Sequence, residues 1–264
     1  MKRLLVVVSL AACGGGGGFP TDSPPEALPV GGKFQLAWSV TDLAAATIPC
    51  AQVGADFVTV TLRNRGVQGA STEVFSCSSG MATSLLTFTP GTYDLSFELG
   101  GASGGASGLI GTAPAVLGIE IASGGTVTVD PITFAVDATG KLELLVNTGN
   151  AGGNCTGGAG VDDFTITLTH TGAACEPVTF DLSNGPPNSY TVDCASPPLS
   201  NCIDNDQKLS VPTLPSGSYQ IVVKGKIGGI DCFTNTTTLL IPPNSKTLTQ
   251  TLGLTKLTTA GCPP

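Results

Sequence analysis

Two stretches of this chain repeat each other without a gap. Gly54-Ala55-Asp56-Phe57-Val58-Thr59-Val60-Thr61-Leu62 matches Gly160-Val161-Asp162-Asp163-Phe164-Thr165-Ile166-Thr167-Leu168. In both, apolar side chains alternate with threonines. A period of two with one apolar face is the pattern of a half-buried antiparallel strand. Other pieces recur in the same order: Gly32-Lys33-Phe34-Gln35-Leu36 with Gly140-Lys141-Leu142-Glu143-Leu144, and Pro90-Gly91-Thr92-Tyr93-Asp94-Leu95 with Pro215-Ser216-Gly217-Ser218-Tyr219-Gln220-Ile221. Two copies of a unit of about 110 residues make two domains rather than a solenoid, which needs several shorter repeats.

The same alternation predicts strands at 33–40, 72–77, 83–89, 115–121 and 125–136 in the first copy, besides those at 57–62 and 93–99. In the second copy it predicts 141–147, 177–182, 189–194, 208–213, 231–241 and 246–254. About seven short strands per copy, parted by Gly or Pro turns, predict an all-β chain of two tandem antiparallel β-sandwich domains, 32–137 and 138–264. At Asp130-Pro131 the alternation shifts phase, as a bulge on an edge strand would require. Trp38 shares the apolar face of Phe34 and Leu36, so it reads as core rather than as a platform for sugars.

In Pro90-Gly91-Thr92-Tyr93 and Pro215-Ser216-Gly217-Ser218-Tyr219, proline presets a turn and glycine accepts positive φ. The tyrosine then enters the next strand facing inward, its hydroxyl within reach of nearby backbone. This element resembles the prealbumin-like and Ig-like sandwiches, such as carboxypeptidase regulatory-like and Cna-B-type modules. Some Cna-B-type modules form an internal Lys–Asn amide beside a buried acid. Lys33 and Lys141 sit on first strands, but Lys33 alternates opposite to Phe34, so it should face water and form no such crosslink.

The N-terminus reads as a signal. Met1-Lys2-Arg3 is basic, Leu4 to Leu10 is apolar and too short to span a bilayer, and Leu10-Ala11-Ala12-Cys13 follows. Together these resemble a bacterial lipoprotein signal. The resemblance implies cleavage after residue 12, lipidation of Cys13, and a membrane partner reached through acyl chains. Each buried CH₂ contributes about 0.8 kcal/mol, so two or more chains anchor stably. Gly14 in place of Asp points to the outer membrane. Residues 13–31, with a run of five glycines and then four prolines, read as a tether.

Removing Lys2 and Arg3 with the signal moves the net charge from −8 to −10. So acidic a chain suits neither nucleic acid nor anionic headgroups. Nine cysteines less the lipidated one leave eight, an even number in an oxidising compartment. In the first copy Cys50 and Cys77 stand alone and should pair. In the second, Cys155 and Cys194 match them by position, leaving Cys175, Cys202, Cys232 and Cys262 for two more bridges. Six cysteines nonetheless allow fifteen connectivities. A zinc site would want close Cys pairs and histidines. The closest pair is Cys194 and Cys202, and His170 is the single histidine, so no metal or other cofactor is expected.

A Ser-His-Asp triad would have to use His170, which reads as a solvated turn residue, and no G-x-S-x-G elbow is expected. Gly100 to Gly108 reads as a flexible hairpin tip. Asp162-Asp163 and Asp204-Asn205-Asp206 read as loop acids without EF-hand spacing. The copies differ in one place. The offset between matching residues is 106 at Gly54/Gly160 and 126 at Gly91/Gly217, so the second copy gains twenty residues between them. That cysteine-bearing loop region, with Asp204 and Asp206, is the candidate recognition surface. The expectation is a non-enzymatic, lipid-anchored envelope protein with a structural or interaction role. The alternatives are a module binding a polysaccharide or envelope partner through loops of the second domain, and a hydrolase.

Overall fold

The computed structural model describes residues 30–171, 177–184, 189–192 and 200–263. Cys13, with the rest of 1–29, lies outside the described residues, as do Cys175 and Cys194. Val30 and Gly31, expected in the tether, already belong to the folded body. The Val30 carbonyl accepts hydrogen bonds from the Gly124 amide and the Ser123 hydroxyl, and Gly31 lies against Thr87.

The first unit holds eight strands: β1 (Lys33–Thr41), β2 (Phe57–Asn64), β3 (Ser71–Ser76), β4 (Met81–Thr83), β5 (Gly91–Gly100), β6 (Leu109–Ile121), β7 (Thr126–Thr128) and β8 (Ile132–Ala135). One sheet runs β3-β2-β5-β6, all antiparallel. In the other, β1 lies between β4 and a broken partner strand. β7 pairs with Lys33–Gln35 and β8 with Trp38–Thr41, both parallel to β1. The break is Asp130-Pro131. Proline offers no amide to the ladder, and the phase slip there turns both Val129 and Ile132 inward. The two sheets close over Phe34, Phe97 and Phe134, all fully buried. Emptying one such site costs about 3–5 kcal/mol.

Trp38 belongs to this core at 6 % exposure, and its indole Nε1 donates to the Cys77 carbonyl at 2.8 Å. The expected strand at 83–89 stops at Thr83. Ser84 replaces part of the ladder with its side chain: its hydroxyl accepts from the Phe34 amide and donates to the Leu86 carbonyl. Gly100 to Gly108 is packed rather than a loose tip. It forms 3-10 turns over Ala102–Ser107 in which Ser103 and Gly104 are buried.

The second unit holds β9 (Thr139–Asn147), β10 (Asp163–His170), β11 (Val178–Leu182), β12 (Ser189–Val192), β13 (Ser200–Asn201), β14 (Leu209–Pro215), β15 (Gly217–Ile227), β16 (Ile230–Ile241), β17 (Thr247–Gly253) and β18 (Thr255–Lys256). Its sheets run β12-β11-β14-β9-β17 and β13-β10-β15-β16-β18. As in the first unit, the opening strand pairs in parallel with a late one, here β9 with β17. A second core, around Phe164 and Phe180, fills the space between them. The hairpin β11–β12 has no counterpart in the first unit and takes up residues by which the copies differ.

Both turn tyrosines form the expected corner. Tyr93 Oη donates to the Thr89 carbonyl at 2.8 Å and Tyr219 Oη to the Pro215 carbonyl at 3.0 Å, each four residues back. The rings are buried at 5 % and 3 % exposure.

Cys50 bonds to Cys77 with Cα atoms 6.0 Å apart. Cys155 pairs with Cys202, not with Cys194, and Cys232 pairs with Cys262. Strand register explains the correction. Ser76 lies opposite Phe57 and Asn201 opposite Asp163, so the residues that follow, Cys77 and Cys202, hold equivalent places. The offset between them is already 125. Nearly all the gained residues therefore enter before Cys202, which positional matching without the fold could not reveal.

Peptide mapping of the oxidised protein is expected to recover Cys50–Cys77, Cys155–Cys202 and Cys232–Cys262. A Cys155–Cys194 peptide would contradict the pairing set by strand register. Tyr93→Phe and Tyr219→Phe are each expected to lower the unfolding free energy by about 1 kcal/mol, the net worth of one hydrogen bond, measured by urea titration.

Candidate functional site at the joint and the stapled far end

Strand directions put the two units end to end. β1 runs away from Val30, and the 3-10 turn Cys50–Val53 follows at its far end. There the first unit meets the near end of the second. Ser216 Oγ donates to the Gln52 carbonyl at 2.9 Å, and Asn244 Nδ2 donates to the Ile110 carbonyl at 2.8 Å. Gly217 (φ +127°) sits between the units. A Cβ there would lie 2.7 Å from His170 Nε2 and 3.1 Å from the Gln52 oxygen, so the approach requires glycine.

Beside this contact lies a cavity of about 810 Å³. Pro49, Ala51 and Gln52 of the first unit wall one side, and His170, Val178, Val211 and Tyr219 of the second are among the residues walling the other. It exists because β11 and β14 pair at only two positions, Asp181 with Ser210 and Leu182 with Leu209. Beyond them the two strands no longer pair, and β14 also shifts register against β9 between Val211 and Leu214, where Pro212 offers no amide to the ladder.

His170 is not a solvated turn residue. It closes β10, its ring stands edge-on to Tyr219 with centroids 4.6 Å apart, and its Nε2 lies 3.2 Å from the Ser216 carbonyl. A carbonyl can only accept, so Nε2 carries the proton. Ser218 also lines the cavity, but no carboxylate does among the described residues. Gly101-Ala102-Ser103-Gly104-Gly105 has the G-x-S-x-G spacing of a nucleophile elbow, which corrects the expectation that the chain holds none. The fold gives Ser103 a packing role instead, since its hydroxyl donates to the Val53 carbonyl and the residue is 6 % exposed.

The acids picked out in the sequence lie at the opposite end of the second unit. Asp204 Oδ1 accepts the amides of Asn154 at 2.8 Å and Asn205 at 2.9 Å. These bonds, led by Asn154 and joined by the Cys155 amide, hold its carboxyl below the usual carboxylate range against a smaller opposing effect of burial. Gly153 (φ +92°) lets the loop come this close, because a Cβ there would meet Asp204 Oδ1 at 2.4 Å. Asp204 thus holds its own loop together through Oδ1 while staying partly exposed. Asp206 remains exposed.

The neighbouring Asn154 is fully buried and fully bonded. Its Oδ1 accepts from the Thr148 amide and hydroxyl, and its Nδ2 donates to the carbonyls of Val146 and Ile203. Asn154, Asp204 and the Cys155–Cys202 bridge knit two loops together. Asp162 caps the adjoining turn, its Oδ2 accepting the Gly228 amide at 2.7 Å. Among the described residues no three His, Cys, Asp or Glu side chains gather as a metal site, and no helix is long and apolar enough to cross a membrane.

The class follows from these coordinates: tandem Ig-like β-sandwiches, each with a tyrosine corner and parallel first and late strands. No family model matches the chain, and no curated protein does. Among solved structures it is similar to the Bacillus anthracis TIE protein, at 14% identity and TM-score 0.33, over 86% of this chain and 34% of that one. It thus spans about a third of that protein's length. The major pilin from Streptococcus pyogenes matches at 14% identity and TM-score 0.27, over 86% of this chain and 99% of the pilin. A protein from Bacteroides thetaiotaomicron described as a polysaccharide-binding candidate matches at 11% identity and TM-score 0.30, over 76% and 79% of the two chains. Likeness this distant assigns no ligand or role here.

A depressed carboxyl stabilises the fold above its unfolded pKa, near 4, and that contribution is lost as pH falls through the lower folded value. Protection of the amides of residues 153–155, taken relative to the intrinsic exchange rate at each pH, is therefore expected to be high at neutral pH and to fall below about pH 4. Asp204→Asn should exchange faster at neutral pH and lose most of this acid dependence. An acid response identical in the variant would place the titration elsewhere.

Proposed function

We propose that this chain is a lipid-anchored protein of the bacterial envelope with a structural or interaction role and no catalytic one. The observation that carries the reading is the placement of the two ends. The chain enters the folded body at Val30, at one extreme of the first unit, while the Cys155–Cys202 and Cys232–Cys262 staples lie at the opposite extreme of the second. A body built this way holds its far loops about two sandwich lengths from the point where a lipidated Cys13 would hold it to the membrane. The bridges suit exposure outside the reducing cytosol. No carboxylate lines the cavity beside His170 among the described residues, which supports a packing role rather than that of a general base.

A second reading is a binding module, and one observation favours it. The hairpin that distinguishes the second unit begins at Val178, in the wall of the joint cavity. Concave, mostly apolar spaces between units are common places for ligands. On this reading a polysaccharide or an envelope partner engages the joint rather than Asp204.

Processing tests the anchor. The mature protein is expected to partition into detergent and to carry acyl mass on an N-terminal Cys13, and Cys13→Ser is expected to stay uncleaved. A Cys13→Ser protein that is cleaved normally and still sediments with membranes would overturn the anchored reading.

A further inference from the structure

The first unit has three cationic side chains, Lys33, Arg63 and Arg65, and the fold brings all three to the end where the tether enters. Lys33 opens β1, and its amide donates to the Gly125 carbonyl. β2 returns from the joint and delivers Arg63 and then Arg65, whose amide donates to the Thr92 carbonyl. Gly91, beside Asn64, pairs with Ile121, and Ile121 packs on Gly32, so the arginine turn and the tether entry share one surface. Only two of this unit's eight acids, Asp94 and Glu120, lie at this end. Asp42, Asp56 and Asp137 lie toward the joint, and the rest lie along the strands.

The arginines are set differently. Arg65 is steered by Asp94, whose Oδ1 accepts from Arg65 Nε at 2.9 Å and Nη2 at 2.7 Å and from the Gly118 amide at 2.9 Å. Arg63 stands opposite Asp94 in the strand ladder and is exposed; its guanidinium makes no hydrogen bond or ion pair among the described residues, and its charge adds weakly to the pull on the Asp94 carboxyl. An open recess of about 550 Å³ lies between Arg63, Arg65 and Gly69, with Asp94, the partner of Arg65, also in its wall. Guanidinium groups beside such a recess match the geometry of a phosphate better than ammonium groups do.

We propose that this end of the first unit docks on the phosphate headgroups of an anionic membrane and stands the body upright on it. The proposal rests on the anchored reading, which places this end beside the bilayer. Net charge argues the other way, but net charge is not what a surface meets. The Debye length is about 8 Å at physiological salt, while a nine-residue strand is about 30 Å long. The acids at the joint are therefore screened from the headgroups, and the local balance of three cations against two acids decides. Repulsion of the acidic remainder favours the same orientation.

The test uses the lipidated full chain in vesicles of phosphatidylcholine alone or mixed with phosphatidylglycerol. Amide exchange over residues 65–70 is expected to slow only where phosphatidylglycerol is present, and the protection should vanish at high salt. Arg63→Gln, which leaves the Arg65–Asp94 pair intact, is expected to weaken that protection about fivefold, the effect of one basic residue near an anionic surface. Equal exchange on both lipids would overturn the proposal. So would inorganic phosphate protecting the same amides equally on neutral vesicles, since that would define a small-anion site. Flotation at high salt reads the anchor separately. A chain that floats on both lipids without lipid-dependent protection sinks the docking alone. A chain protected at low salt but lost from both vesicles at high salt sinks the anchor alone.

Discussion

Asp137 lies in the three-residue connection between the two sandwiches, and the relation of the units depends on what it holds. Its Oδ1 accepts from the Thr139 amide and hydroxyl, its Oδ2 from the Ser245 hydroxyl, and its own carbonyl from the Asn244 amide. Hydrogen bonds from Thr139 and then Ser245 draw its carboxyl below the usual carboxylate range. Asn244 and Ser245 both sit at positive φ, 64° and 53°, a conformation non-glycine residues adopt only when their surroundings offset its cost. The offsetting contacts are visible: Asn244 reaches across to the Ile110 carbonyl of the first unit and Ser245 reaches Asp137. A connection this short and this well bonded fixes which end of each unit faces the other. The joint cavity and the separation of tether from staples follow from it.

Repetition of the fold does not mean repetition of exposure. Each unit carries a disulfide at the end away from the tether, Cys50–Cys77 in the first and Cys155–Cys202 in the second. In the first unit the 3-10 turn beginning at Cys50 packs against β15 and becomes part of the joint. In the second the equivalent place is occupied by the loops around Asn154 and Asp204, which complete their own hydrogen bonding. The same staple thus supports a junction in one copy and closes a terminus in the other. In the chain-entropy model each bridge contributes about 3–4 kcal/mol by restraining the unfolded chain, whichever role it serves.

Strands, doubling and corners are all legible in local stretches of the chain. Alternation of apolar residues with threonine leaves one way to bury Val58, Val60 and Leu62, and the same holds for Phe164, Ile166 and Leu168. Pro-Gly-Thr-Tyr and Pro-Ser-Gly-Ser-Tyr encode turn and corner together, because the tyrosine hydroxyl reaches backbone only four residues away. These are local relations, legible wherever a few consecutive residues settle the outcome.

Relations between residues far apart in the chain emerge from the fold as a whole. Cys155 chose Cys202 because β13 lies opposite Asp163, a register set by the whole sheet. His170 follows the strand pattern and precedes Thr171-Gly172, a solvated turn on paper, yet strand pairing within its own unit sets it against Tyr219 and the Ser216 carbonyl. Asp204 read as a loop acid because two of the amides that approach it, those of Asn154 and Cys155, lie about fifty positions earlier in the chain. Charge behaved likewise: composition gave its total, but strand direction placed Arg63 and Arg65 beside the tether entry. Local pattern fixes which face of an element is buried, and long-range pairing fixes what that element is buried against.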